Sequence, residues 1–310
     1  MSLYQDIRPT KLDNIIGNES TVKSLNKILK SKSKPHTFLF HGERGTGKTT
    51  CARILVKELG CADIDCIELN GADNRGIDDA RSVISIANTS PMGGKCRVII
   101  WDEAHKMTNE CQNALLKVLE DTSESTYFIL CSTEPDKLLK TVRSRCTQYK
   151  FELLNEEDMI ILIGNTLKEL EKDIDDTIFF GIIDYSNGSP REALVLLEQV
   201  LTLDKSEEQI SLIKKSLIEH DIIEMCRILL KGGSWKSIIQ IYKGIKDIDV
   251  EVARRVILGY MKTVLLNENE RDSNKQEIAN NIIRIFSKNT FDSGEAGLVG
   301  LLYNAFKEQI

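Results

Sequence analysis

The sequence predicts an α/β domain built on a parallel sheet, followed by an all-helical remainder. Three observations carry that expectation. Short apolar runs alternate with amphipathic helical patterns in the first half of the chain, the order that lays parallel strands beside crossover helices. An eight-residue stretch, Gly42-Glu43-Arg44-Gly45-Thr46-Gly47-Lys48-Thr49, joins one such run to one such helix in the pattern G-x-x-x-x-G-K-[ST]. Beyond about residue 152 the strand signals stop, and helical patterns separated by polar or glycine-containing turns take over.

The elements follow in order. His36-Thr37-Phe38-Leu39-Phe40-His41 is a short run of β-favouring side chains and predicts the first strand. After the glycine-rich loop, Ala52, Leu55, Val56 and Leu59 recur at i, i+3, i+4 and i+7, a buried helical stripe that Gly60 ends. Further strands are expected over 66–69, 98–101 and 127–131, with a helix carrying Cys111, Ala114, Leu115, Val118 and Leu119 on one side between the last two. A final strand over 148–151 closes the α/β region, which spans 1–152. A small helical group is expected over 153–205; in it Ser189-Pro190-Arg191-Glu192 reads as a capping box with proline at the first helical position. A second helical group runs over 206–310, with stripes such as Trp235, Ile238, Ile239, Tyr242 and Ala253, Val256, Ile257, Tyr260, Met261, Val264.

At 310 residues the chain is long enough for two or three domains. Its 41 basic and 47 acidic residues give a net charge of −6, so any contact with nucleic acid must come from a local basic patch. The amino terminus lacks a basic segment followed by an apolar run, and no stretch approaches membrane-spanning length, so a cytoplasmic protein with no membrane partner is expected. Eight cysteines without a C-x-x-C pair and four scattered histidines read as thiols in a reducing compartment, with no zinc cluster.

The glycine-rich loop carries the first chemistry. Its glycines let successive backbone N–H groups turn toward an anion, and the following helix adds its positive end. A nucleoside triphosphate with Mg²⁺ is therefore the expected ligand: Lys48 reaches the outer phosphates and Thr49 the metal. Asp102 and Glu103 follow the run Val98-Ile99-Ile100-Trp101 at a strand end, where ligands gather in parallel sheets. Asp102 is expected to hold Mg²⁺ through its water shell, and Glu103 to orient and deprotonate an attacking water. Ser132 and Thr133, after the strand ending at Cys131, offer a hydroxyl for the γ-phosphate or simply a strand-ending turn. Arg145 and Arg191 are candidate cations for the charge that develops during phosphoryl transfer.

Together the motifs make the chain resemble an AAA+ ATPase of the sliding-clamp loader family, similar to bacterial DNA polymerase III gamma/tau and replication factor C small subunits. The matching residues are Arg8-Pro9 with Ile15-Ile16-Gly17, the glycine-rich loop, Asp102-Glu103-Ala104-His105, Asn113-Ala114-Leu115-Leu116-Lys117 and Ser144-Arg145-Cys146. They span the amino-terminal half; the helical remainder fits less specifically. The resemblance implies an AAA+ domain over 1–152, a lid over 153–205 and a collar over 206–310. Arg8, Ile15, Ile16 and Gly17 would contact the nucleotide, together with Gly42, Gly45, Thr46, Gly47, Lys48, Thr49 and Thr50. Thr133 would be the sensor after the fourth core strand. Arg191 would link the lid to the γ-phosphate of its own subunit, and Arg145 would enter a neighbour's site.

The same resemblance implies that Arg75, Gly76, Ile77 and Arg81, at a helix start, track phosphates of primer-template DNA. Arginines and amide groups at a helix amino end suit sequence-independent phosphate contact; a solvated helix face capped by Asp73 and Asn74 is the alternative. Lys27, Lys30, Lys32 and Lys34 read as a solvated helix end. The four-cysteine zinc module of gamma/tau subunits is missing, since Cys61 and Cys66 are the only local thiols, and proline precedes Arg191 where relatives carry a larger apolar residue. Compact length and the missing module fit a bacterial, phage or viral loader. The expected function is an ATPase subunit that opens a sliding clamp and releases it closed on primer-template DNA, working with other loader subunits in a pentamer. The alternatives are another AAA+ DNA-processing ATPase, for branch migration or replication restart, and a catalytically silent ATP-binding scaffold.

Overall fold

Five runs of β-branched and aromatic residues form the strands β1 (Thr37–Gly42), β2 (Cys66–Asn70), β3 (Arg97–Asp102), β4 (Thr126–Ser132) and β5 (Thr147–Phe151) of a computed structural model. It describes residues 2–245, 249–266, 273–288, 290 and 293–308. The strands are parallel throughout and lie in the order β2-β3-β4-β1-β5. Each expected strand is present, with its ends within a residue of those expected. Central β4 is buried along its whole length, whereas β2 at the edge is half-exposed. That difference explains why the first reads as a continuous apolar run and the second as a broken one.

Alternation along each strand sends side chains to two cores. Phe38, Phe40, Ile100 and Ile129 pack on one face against α2 (Glu19–Lys30) and α3 (Lys48–Glu58), through Leu25 and Leu55. Leu39, Ile99, Trp101 and Phe128 pack on the other against α4 (Ile77–Ala87), α5 (Asn109–Glu120) and the short α6 (Lys140–Arg143). One short amino-terminal helix, α1 (Leu3–Asp6), completes this part.

Three helices follow, α7 (Glu156–Glu169), α8 (Asp176–Ser186) and α9 (Pro190–Leu201). The expected capping box of α9 forms on one side only. Ser189 Oγ accepts the Glu192 N–H at 3.4 Å, but the Ser189 N–H donates to the Ser186 carbonyl at 2.8 Å and leaves Glu192 nothing to return to. The chain divides into two compact units, Met1–Thr202 and Leu203–Ile310, and α7–α9 lie within the first. The second unit contains α10 (Ser206–Leu230), α11 (Trp235–Gly244), α12 (Val250–Leu265), α13 (Ser273–Phe286) and α14 (Gly294–Lys307) around a core that includes Cys226, Leu229, Ile238, Ile257, Phe286 and Leu302. Among the described residues no helix is long and apolar enough to cross a membrane.

Candidate functional site

The glycine-rich loop joins the carboxyl end of β1 to α3, as its sequence requires. Gly42 has a φ of +146° and lies so close to β5 that a β-carbon on it would sit 2.0 Å from the Phe151 carbonyl oxygen. Gly45 has a φ of +82°, and a β-carbon there would be 2.4 Å from Ser189 Oγ and 3.3 Å from Arg191 Cβ. The loop therefore packs against the start of α9. Thr46 Oγ1 closes it by donating to the Glu43 carbonyl at 2.8 Å.

Lys48 is buried and donates from Nζ to the carbonyls of Gly42 at 2.9 Å and Glu43 at 2.5 Å. Burial pushes its ammonium pKa below the ordinary lysine value, while Asp102 and Glu103 pull it the other way. Thr49 Oγ1 donates to Asp102 Oδ2 at 2.8 Å, although the two residues are 53 positions apart. Sheet order explains that meeting: β3 and β1 flank β4 and end at the same edge, so Asp102 at the end of β3 faces the loop after β1. A hydroxyl and a carboxylate side by side form an oxygen donor set suited to Mg²⁺. Glu103 follows in the left-handed conformation, at a φ of +52°.

These groups line a cavity of about 1090 Å³. Of the residues singled out from sequence, Arg8, Ile15, Ile16, Gly45, Thr46, Gly47, Lys48, Thr49, Thr50, Asp102, Glu103, Thr133 and Arg191 are on its wall. Gly17 and Gly42 do not line it. The choice between the two hydroxyls at the end of β4 resolves by burial: Ser132 is 1% exposed and bonded to the Glu134 N–H, whereas Thr133 faces the cavity.

Arg145 is elsewhere. Its carbonyl accepts from Thr37 Oγ1 at 2.5 Å, at the start of β1, and the strand's length separates that point from the loop by about 17 Å. Its guanidinium is held by Glu120 Oε2, at 3.0 and 2.6 Å, and by the Thr141 carbonyl. Arg75, Gly76, Ile77 and Arg81 also lie off the cavity, at the start of α4. Gly76, rather than Asp73 or Asn74, occupies the cap position; its N–H donates to Asp79 Oδ2 at 2.9 Å, and Arg81 pairs with Asp78 on an exposed surface.

Among the wall residues that sequence reasoning missed are Tyr4 and one face of α7. Tyr4 lies under both cavity arginines, 4.8 Å from the Arg191 guanidinium carbon and 5.5 Å from that of Arg8, in contacts of the cation–π kind. Nothing local signals this, because Tyr4 and Arg191 are 187 positions apart. On α7, Leu162, Asn165, Thr166 and Glu169 line the cavity at i, i+3, i+4 and i+7. That stripe was readable in spacing, but it is mostly polar, and a search for apolar periodicity passes over it.

Comparison with known proteins settles the family. Residues 62–155 match the family described as DNA polymerase III, delta subunit. DNA polymerase III subunit gamma of Buchnera aphidicola from Schizaphis graminum is 30% identical over 272 residues, covering 75% of each chain. Replication factor C small subunit of Methanococcus vannielii is 31% identical over 262 residues, covering 80% of this chain and 83% of that one. The chain belongs to the AAA+ clamp-loader subunit family.

Within that family, DNA polymerase III subunit gamma/tau of Mycobacterium tuberculosis is 35% identical over 224 residues. This clamp-loader-type chain spans about two fifths of that relative's length, since the match covers 39% of it. Its fold is also that of the Thermotoga maritima RuvB Holliday junction branch migration motor, with a TM-score of 0.58 over 80% of this chain and 84% of that one; at 23% identity the likeness concerns architecture alone.

Proposed function

We propose that the protein is an ATPase subunit of a sliding-clamp loader, using ATP binding to favour a clamp-opening state and hydrolysis to release the clamp closed on primer-template DNA. The observation that carries the chemistry is the 2.8 Å pairing of Thr49 with Asp102 beside buried Lys48, on one wall with Glu103. Family membership directs that chemistry to clamp loading. Mg²⁺ held by Thr49 and Asp102 would neutralise phosphate charge and orient the outer phosphates. Lys48 would exchange its loop carbonyls for phosphate oxygens, Thr133 would contact the γ-phosphate, and Glu103 would take the proton of the attacking water. The helices α7–α9 would act as a lid, with Arg191 reaching down from α9, while Ile15 and Ile16 bound the base.

Arg145 sits about a strand's length from its own loop and pairs with Glu120 at the surface, an interaction that contributes at most about 1 kcal/mol. It would leave that partner readily for the site of a neighbouring subunit. Other loader subunits, joined through a collar formed by the second unit, the clamp and primed DNA are thus the expected partners, in the cytoplasm where bacterial replication runs. Arg75 and Arg81 would meet DNA phosphates.

The test is Mg²⁺-dependent ATP hydrolysis by the full chain, alone and with its companion subunits, clamp and primed DNA. Turnover should rise when clamp and DNA are both present, and Lys48→Ala should abolish it. ATP binding without turnover under every condition would instead favour the silent scaffold.

A further inference from the structure

The sharpest unexplained arrangement next to the cavity is at His105. Glu103, which leaves β3 in a strained left-handed conformation, has a carboxylate that is a third exposed (33%), so its rotamer needs a partner to hold it. Among the described residues the one side chain paired with that carboxylate is His105, whose Nε2 lies 3.4 Å from Glu103 Oε2. The same Nε2 lies 3.5 Å from Glu134 Oε1, and Glu134 is itself tied to Lys137 at 2.9 Å. On the other side of the ring, Nδ1 is 3.3 Å from Ser132 Oγ, which already accepts the Glu134 N–H at 3.0 Å.

Proton accounting places a hydrogen on Nε2, and burial favours a bare Nδ1 over an imidazolium. Two carboxylates at Nε2 require a hydrogen there, since a ring lone pair facing them would be repelled. Ser132 Oγ, having accepted one N–H, still has its own proton to give, and a bare Nδ1 can take it. The ring is then a neutral Nε2–H tautomer, in keeping with its burial, which pushes its pKa down against the opposing pull of Glu103 and Glu134. Nε2 then faces both carboxylates and Nδ1 the Ser132 hydroxyl, and the chain of contacts joins the end of β3 to the end of β4 at Thr133's immediate neighbours.

We propose that His105 is a positioning residue for water activation: its Nε2–H aims the Glu103 carboxylate and ties that aim to the β4 terminus formed by Ser132, Thr133 and Glu134. The proposal rests on the reading of Glu103 as the water-activating carboxylate. Its cost when lost should appear in turnover and not in nucleotide affinity, because His105 touches the Glu103 carboxylate and not the phosphate loop.

The experiment compares wild type, His105→Ala and His105→Gln in the same full-chain assembly used for ATP hydrolysis, with a fluorescent non-hydrolysable ATP analogue to read affinity. His105→Ala should lower kcat at least about tenfold, a part of the roughly 10²–10⁴-fold that a positioned general base contributes, with analogue Kd unchanged. His105→Gln keeps an N–H donor near the Nε2 position and should recover much of the loss. Unchanged or raised kcat in the alanine variant, or a glutamine variant as slow as alanine, overturns the proposal. Nitrogen-15 spectra of the wild-type histidines, only four in number, give a readout that does not depend on any variant folding: His105 must be the Nε2–H tautomer at neutral pH, and an Nδ1–H tautomer or an imidazolium overturns the assignment. A wild-type assembly with no turnover at all, by contrast, removes the hydrolysis reading on which the proposal stands.

Discussion

At Gly45 two demands fall on one residue. The backbone must adopt a φ of +82°, and α9 approaches so closely that no β-carbon fits beside Ser189. Alanine would meet both the left-handed strain and the contact, a loss of about 1–3 kcal/mol. Gly45→Ala should therefore lower the melting temperature of the nucleotide-binding unit by roughly 2–4 °C for each kcal/mol and weaken ATP binding along with it. An unchanged melt would mean that α9 gives way without penalty. Asp65 is a second residue with a readable burden. Its buried carboxylate accepts the N–H groups of Met92, Gly93 and Gly94 at 2.7, 2.7 and 2.8 Å, which hold its pKa down to about 2. Because the folded value is depressed, the stabilisation is present above the unfolded carboxylate value and is lost as pH falls from about 4 toward 2. Thermal melts of wild type should drop through that window, whereas Asp65→Asn should melt lower at neutral pH and fall less; parallel curves would remove Asp65 from the account.

Elements carry the next level. The segment between α4 and β3 has almost no regular structure, yet it is pinned from both sides: Asp65 takes its amides, and Arg97 donates to the carbonyls of Thr89 and Ser90, to the Thr89 hydroxyl and to Asp65 itself. Since Arg97 is only 5% exposed and Asp65 is fully buried, removing its charge leaves the Asp65 carboxylate and part-buried carbonyls without that donor, a penalty of the kind seen when one partner of a buried network is deleted. Arg97→Met should accordingly raise proteolytic cleavage within 88–95 under native conditions, with the strands behind it still protected; uniform protection would contradict that.

For the whole molecule, every wall residue of the cavity belongs to the unit Met1–Thr202, which has its own two-sided core. A fragment ending at 202 should therefore fold cooperatively and bind an ATP analogue with the affinity of the full chain. Turnover is a different matter, because Arg145 lies about a strand's length from its own glycine-rich loop. Mixing Lys48→Ala with Arg145→Ala subunits should recover part of the ATPase activity that each lacks alone. No recovery at any mixing ratio would count against an arginine acting between subunits.

The sequence by itself determined the class of fold, the five strands within a residue or two, and the identity of the glycine-rich loop and acidic pair. Those features are local: strand alternation, helical stripes and the loop motif are each written within a dozen residues. Only the tertiary structure decided what is set by neighbours distant in sequence. The order β2-β3-β4-β1-β5 brings Asp102 to Thr49; burial chooses Thr133 over Ser132 for the cavity wall; packing turns the polar stripe of α7 into cavity wall; and the contacts of Tyr4 and His105 have no local signature. Local periodicity reports which face of an element is apolar. It does not report which polar groups long-range packing will set beside one another.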